Sequence, residues 1–312
     1  MSSSIFKGSN RSLRKLTTRL GSGLLALGLS ISVAIPPTAA DPFRPTNGAA
    51  IGPLTENAFE AIFKEGDYVK ANTFLAQAET EEADEPLVHA MLASMAYLKG
   101  DEGLSEVLVR AEKTEDTARA LTASDPLRGH LYTAVGIFLK GAHVLKTKGV
   151  AEGTPEALGM LQEVFSELDA AEAIDPEDAE LNLLKGYMDL MLAVNLPFSN
   201  PDDAISRMSQ YGSPDYLTYR GIAIGYRDLD QFDNALESVD RALAAASSNP
   251  ELYYLKAQLL VRQGNPTDSI EWFKKALELK EQLPDKLQRQ ILWEECNASD
   301  DERDCAALVG YD

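Results

Sequence analysis

The segment GYRDLDQFDNALESVDRAL, Gly225 to Leu243, returns one 34-residue step later as LLVRQGNPTDSIEWFKKAL, Leu259 to Leu277. The step carries Tyr219 to Tyr253, Ala223 to Ala257, Leu236 to Ile270, Val239 to Phe273, Ala242 to Ala276 and Leu243 to Leu277, keeping size or apolarity each time. Within one copy, Tyr219, Ile222, Ala223 and Tyr226 recur at intervals of three and four, and so do Phe232, Ala235, Leu236, Val239 and Ala242. That spacing predicts two amphipathic helices joined by a short polar turn. A lone helical hairpin cannot cover its own apolar face, so each copy buries that face on the next, and the chain is committed to a stacked array.

The same register shows near the start, where Gly66 in FKEGDYVKANTFLAQA precedes Gly100 in MAYLKGDEGLSEVL by 34 residues. Division at Pro86, Pro126, Pro176, Pro214 and Pro250 predicts about six hairpins, with 53–85, 86–125, 216–249 and 250–283 the clearest. PDKLQRQILWEEC supplies a last helix with Leu283, Leu287 and Ile291 four apart, as a cap needs. Strand signals are nearly absent.

Tyr219, Ile222, Ala223, Tyr226, Ala235, Val239, Ala242 and Pro250 together resemble the pattern of the tetratricopeptide repeat family. The next unit resembles it through Tyr253, Ala257, Leu260, Phe273 and Ala276, but carries Lys256 where an aliphatic is usual and Ser269 where Ala is usual. The resemblance implies an all-α, right-handed superhelix over 53–283, closed by a capping helix and a Cys-bearing tail over 284–312. It also implies a concave groove lined by the first helix of each unit. The groove positions are then Leu217, Arg220, Ile224 and Arg227 in one unit and Tyr254, Gln258 and Arg262 in the next. Three Arg and a Tyr in a groove suit an acidic or carboxylate-bearing protein segment; on the plainer reading these Arg pair with neighbours such as Asp228 and Asp230. The Asn that chaperone-binding members use to clamp a C-terminal carboxylate is replaced by Ile224 and Gln258, which argues against that role.

Residues 1–40 are set apart. Lys7, Arg11, Arg14, Lys15 and Arg19 form a basic head with no acid, Leu24 to Ile35 is an apolar run, and Thr38 and Ala40 occupy small positions suited to a signal peptidase. This predicts an export signal cut after Ala40, with an uncleaved N-terminal anchor as the alternative and no stable membrane insertion after cleavage. The expected compartment is the periplasm, or the thylakoid lumen in a photosynthetic bacterium. The stretch 41–52, rich in Pro, Gly and Ala, predicts a flexible linker. Cys296 and Cys305, an even count in an exported chain, predict one local disulfide.

The formal charge of −20, which becomes −25 once the five basic residues of the head are removed, repels phosphate backbones and argues against nucleic acid as a partner. His89, His130 and His143 are the only His, and the last two lie on different faces of one helix. No P-loop, Gly-x-Ser-x-Gly turn or His-Glu-x-x-His pair is present. We therefore expect no catalytic residues, no metal and no cofactor, and read a non-enzymatic scaffold holding a protein or peptide partner. The alternative is a helical solute-binding protein or enzyme built on the irregular centre, GYMDLMLAVNLPFSNPDD. That reading predicts an enclosed apolar cavity beside Met188, Met191 and Phe198, where the scaffold predicts a long open groove.

Overall fold

The computed structural model describes residues 41–44, 46, 48–195, 201–299 and 304–310, all within one compact unit. The predicted signal segment 1–40 and Phe198 lie outside the described residues. Helices account for nearly all regular structure there, and they pair as six antiparallel hairpins. The first joins α1 (Pro53–Phe59), prolonged by one wide turn through Glu60–Glu65, to α2 (Tyr68–Glu81). The second joins α3 (Pro86–Leu98) to α4 (Leu104–Leu121), and the third is a single unit, α5 (Pro126–Glu172), bent back on itself. Then follow α6 (Ala179–Asn195) with α7 (Pro201–Tyr211), α8 (Asp215–Asp228) with α9 (Phe232–Ala245), and α10 (Pro250–Arg262) with α11 (Pro266–Glu278). Helix α12 (Asp285–Ala298) covers the last hairpin, and Cys296 is bonded to Cys305 at the start of the short α13 (Cys305–Val309).

Local chemistry sets these boundaries. Pro occupies the first turn of α1, α3, α5, α10 and α11, where its missing N–H has no partner to lose. Side-chain oxygens of Asp67, Glu85, Asp125 and Asn249 accept from free N–H groups one turn on, capping α2, α3, α5 and α10. Inside each hairpin, small residues such as Ala71, Ala93, Ala223, Ala235, Ala257 and Ala276 are fully buried, which lets helix axes approach while Leu75, Val239 and Phe273 fill the gaps.

The bounding prolines Pro126 and Pro176 mark the third hairpin in the sequence, but not the place of its bend. Gly149, at φ 77° and ψ 164°, interrupts the 47 residues of α5. Gly153 lies against Val144, Gly141 against Met160, and His130 Nδ1 is 2.7 Å from Glu167 Oε2, so the arms 126–148 and 150–172 fold back antiparallel about that glycine.

Two expectations are corrected. The described residues of the segment 41–52 are packed against the helices and are not a flexible linker. Phe43 and Ile51 are 1% and 2% exposed, Phe43 stacks edge-on against Phe59 at 4.8 Å, and Asp41 accepts from the N–H groups of Phe43 and Ala49 at 2.8 Å each. Apolar burial and charge together hold the segment, although its Pro and Gly content predicts freedom.

The array also closes on itself instead of leaving a long open groove. Asn249 Nδ2 donates to the Phe63 carbonyl at 3.1 Å, while Tyr68 and Arg220 both bond the Glu251 carboxylate. Gly66, at φ 68°, sits so close to this junction that a Cβ there would lie 2.7 Å from Asn249 Oδ1. Further along, Lys286 Nζ donates to the Lys99 carbonyl at 3.1 Å. The first two hairpins thus touch the last two and the cap.

Candidate binding surfaces

Neighbouring helices engage most of the expected groove residues. Leu217 is buried, and its carbonyl accepts from Tyr187 Oη at 2.7 Å. Arg220 is committed to Glu251 at the junction, where burial opposes its charge and Glu251 more than offsets that, holding its pKa above the ordinary guanidinium range. Tyr254 is buried and donates to Glu294 Oε1 at 2.6 Å; Gln258 Nε2 reaches Tyr254 Oη at 2.8 Å and Glu294 Oε2 at 3.1 Å. Arg227 forks onto its neighbour Asp228 at 2.7 and 3.2 Å, and Arg262, half exposed, stands 3.9 Å from the same carboxylate. Leu217 and Arg220 border the inward-facing space, and Tyr254 is covered by α12. Arg227 and Arg262 pair with Asp228, the plainer of the two sequence readings. Of the seven, Ile224 is half buried and faces unfilled space.

That space lies between the inward faces of α1, α3, the first arm of α5, α6 and α8. It is a cavity of about 320 Å3 walled by Phe59, Phe63, Met91, Val135, Leu184 and Ile224 among others. Val135, Leu184, Tyr187 and Ile224 also border a second cavity of about 390 Å3, which runs towards Met191 and Asp228. The alternative reading predicts an enclosed cavity beside Met188 and Met191, whereas the space that borders them is partly open.

Where α3, α5 and α6 begin, a buried charge cluster ends the inner cavity. Arg128, 2% exposed, bonds Glu85 at 2.7 and 3.1 Å and Glu180 at 3.0 Å; Tyr132 Oη donates to Glu180 at 2.6 Å. Arg44 reaches in from the N-terminal segment, with Asp178 at 2.6 and 2.8 Å, Glu180 at 3.0 Å and Asp41 at 2.8 Å. Burial opposes both guanidinium charges, and the carboxylates, Glu180 first, more than offset it, so both pKa values stay above the ordinary range. The partners are up to 136 positions apart, and no local pattern signals them. The available hint is charge at Arg128 and Glu180 on otherwise apolar helix faces.

A second surface is exposed. Between the two arms of α5 and the end of α6 runs a groove of about 450 Å3 lined by Phe138, Leu145, Val150, Leu158, Leu161 and Met191 among others, with no charged side chain in it. Val150 is 74% exposed, Leu158 50% and Met191 48%. Large apolar side chains scattered singly are ordinary, whereas these three share one concave wall. No helix among the described residues is long and apolar enough to cross a membrane.

Comparison with protein-family models gives a match over residues 220–284, described as tetratricopeptide repeat. No curated protein matches the chain.

Proposed function

Since this protein contains tetratricopeptide repeats, we propose that it is an extracytoplasmic scaffold that holds a partner protein on the exposed groove of α5 and α6, in the assembly or upkeep of an envelope complex. Such repeats are interaction modules, and the observation that carries this reading is the uncharged groove walled by Val150, Leu158 and Met191. Two antiparallel helical arms leave a furrow between them into which a third helix packs ridge into groove, so the fitting partner element is the apolar face of an amphipathic helix. Of the concave Arg, Arg220 bonds Glu251 at the closing junction, while Arg227 and Arg262 pair with Asp228. Export is supported by the basic head and apolar run of residues 1–40. The Cys296–Cys305 bond fits the same compartment, since disulfides persist where the medium is oxidising.

A photocrosslinking residue placed at Leu158, compared with one at Val69 on α2, tests the site in the producing cell. A discrete protein adduct from position 158, absent from position 69 and reduced at least tenfold when Met191 is replaced by Asp, is the expected result. The same adducts from both positions, or none from 158, would overturn it.

A further inference from the structure

The interior offers a site of different chemistry. On the inward faces of five helices a concavity of about 320 Å3, partly open to solvent, lies beside the space of about 390 Å3, with Val135, Leu184, Tyr187 and Ile224 common to both walls. Val135, Leu139, Leu184 and Ile224 are only half buried although helices surround them, because each faces this space. Of the charged residues on its walls, Arg220 is bonded to Glu251 and Asp228 to Arg227. Phe43 and the Arg44 cluster close the end where α3, α5 and α6 start.

Size and polarity select the ligand class. One turn of α-helix, about 10 Å across and 5.4 Å tall, occupies roughly 400 Å3, so the two spaces together hold fewer than two turns of a partner helix. A sugar or nucleotide needs an array of convergent donors and acceptors, whereas the polar side chains on this largely apolar wall, Ser94, Tyr132, Tyr187 and Arg220, are each bonded within the protein. A linear hydrocarbon chain needs neither width nor hydrogen bonds. We propose that the cavity binds one linear hydrocarbon chain, of a fatty acid or of a membrane lipid's acyl tail, with its methyl end towards Phe43 and Tyr132. Its polar end then lies at the mouth beside Asp228 and the arginines that neutralise that carboxylate.

Calorimetric titration of the purified protein with saturated fatty acids of about eight to sixteen carbons, kept below micellar concentrations, tests this. Each buried methylene contributes about 0.8 kcal/mol, so affinity is expected to rise roughly fourfold per carbon and then level off when the space is full. That plateau needs no variant. Leu184→Trp, which puts an indole into the cavity, is expected to weaken binding at least tenfold, while Val69→Asp on the outside changes nothing. Re-isolation from phosphatidylglycerol vesicles followed by mass spectrometry separates the two sources: retained phospholipid identifies a lipid tail, and uptake of free acids alone identifies a fatty acid. No saturable binding from either source, or equal affinity in Leu184→Trp with its fold intact, would overturn the proposal. So would peptide adducts from a crosslinker at Ser94 that fatty acid does not compete away.

Discussion

Lys256 stands where an aliphatic residue is usual in a repeat helix, and its surroundings show why the array tolerates it. Its ammonium lies 4.1 Å from the Trp272 ring centroid and bonds Asp240, while its stem stays largely covered. Ser269, where Ala is usual, is fully buried and donates to the Pro266 carbonyl at 2.6 Å. His89 is 2% exposed, with Nε2 2.8 Å from the Ala83 carbonyl oxygen and Nδ1 unpaired. Burial holds its pKa below the ordinary value against that bond, and Lys113 and Arg110 add to the depression while Glu79 opposes it. The unfolded chain takes up this proton below about pH 6.5 and the folded one resists it, so the stabilisation is present above about 6.5 and lost as pH falls towards the folded pKa. Urea midpoints between about pH 7.5 and 5 are expected to fall, and His89→Gln, which keeps a donor for Ala83, is expected to flatten that slope. Arg44→Ala leaves Asp178 and Glu180 short of a partner in a buried site, for an expected loss of about 3 kcal/mol in urea unfolding. The repeat alanines and the disulfide are legible in the sequence because they act on neighbours in the chain. The Arg44 cluster is not, because it exists only once segments far apart have met.

Helix identity and pairing follow from the 3.6-residue rhythm, and Pro at the first turn marks where α3, α5 and α10 begin. What escapes is the bend inside α5, since apolar spacing alone does not mark where a helix turns back. Gly149 occupies a region of backbone space that belongs almost wholly to glycine, with open space around it, so any side chain there is penalised by conformation alone. Gly149→Ala is expected to cost about 1–3 kcal/mol. Gly159, exposed in the second arm of the same helix and also free of neighbours, is the matched control. Gly159→Ala is expected to stabilise by about 0.5–1 kcal/mol, because a helical glycine loses more freedom on folding than alanine. Denaturant midpoints that move in opposite directions for two chemically identical substitutions would establish the bend as a true turn; shifts of the same sign would count against it.

At the scale of the whole molecule, no 34-residue period reveals whether an array ends open or closed. Curvature accumulates from small rotations at each interface, and those depend on side-chain sizes throughout, so the meeting of hairpin one with hairpins five and six has no motif of its own. Arg220 and Tyr254 stand on the inward face, where Arg220 bonds Glu251 beside the junction and Tyr254 donates to Glu294 of α12. Closure also changes how the molecule comes apart. In an open solenoid each repeat is coupled to its neighbours alone. Here Asn249 caps α10 through the N–H of Glu251 at 2.9 Å and holds the Phe63 carbonyl from the opposite end of the chain at 3.1 Å. Asn249→Ala removes both bonds, for an expected loss of about 1–2 kcal/mol. Native-state hydrogen exchange then reads where the loss is felt. Amides of α1 and α2 are expected to exchange faster along with those of α10, while the second arm of α5, which touches neither side of the junction, keeps its protection. Acceleration confined to α10 and α11 would mean that the ends lie together without holding each other, and the cavity between them would then lack the rigid walls on which selection of a hydrocarbon chain depends.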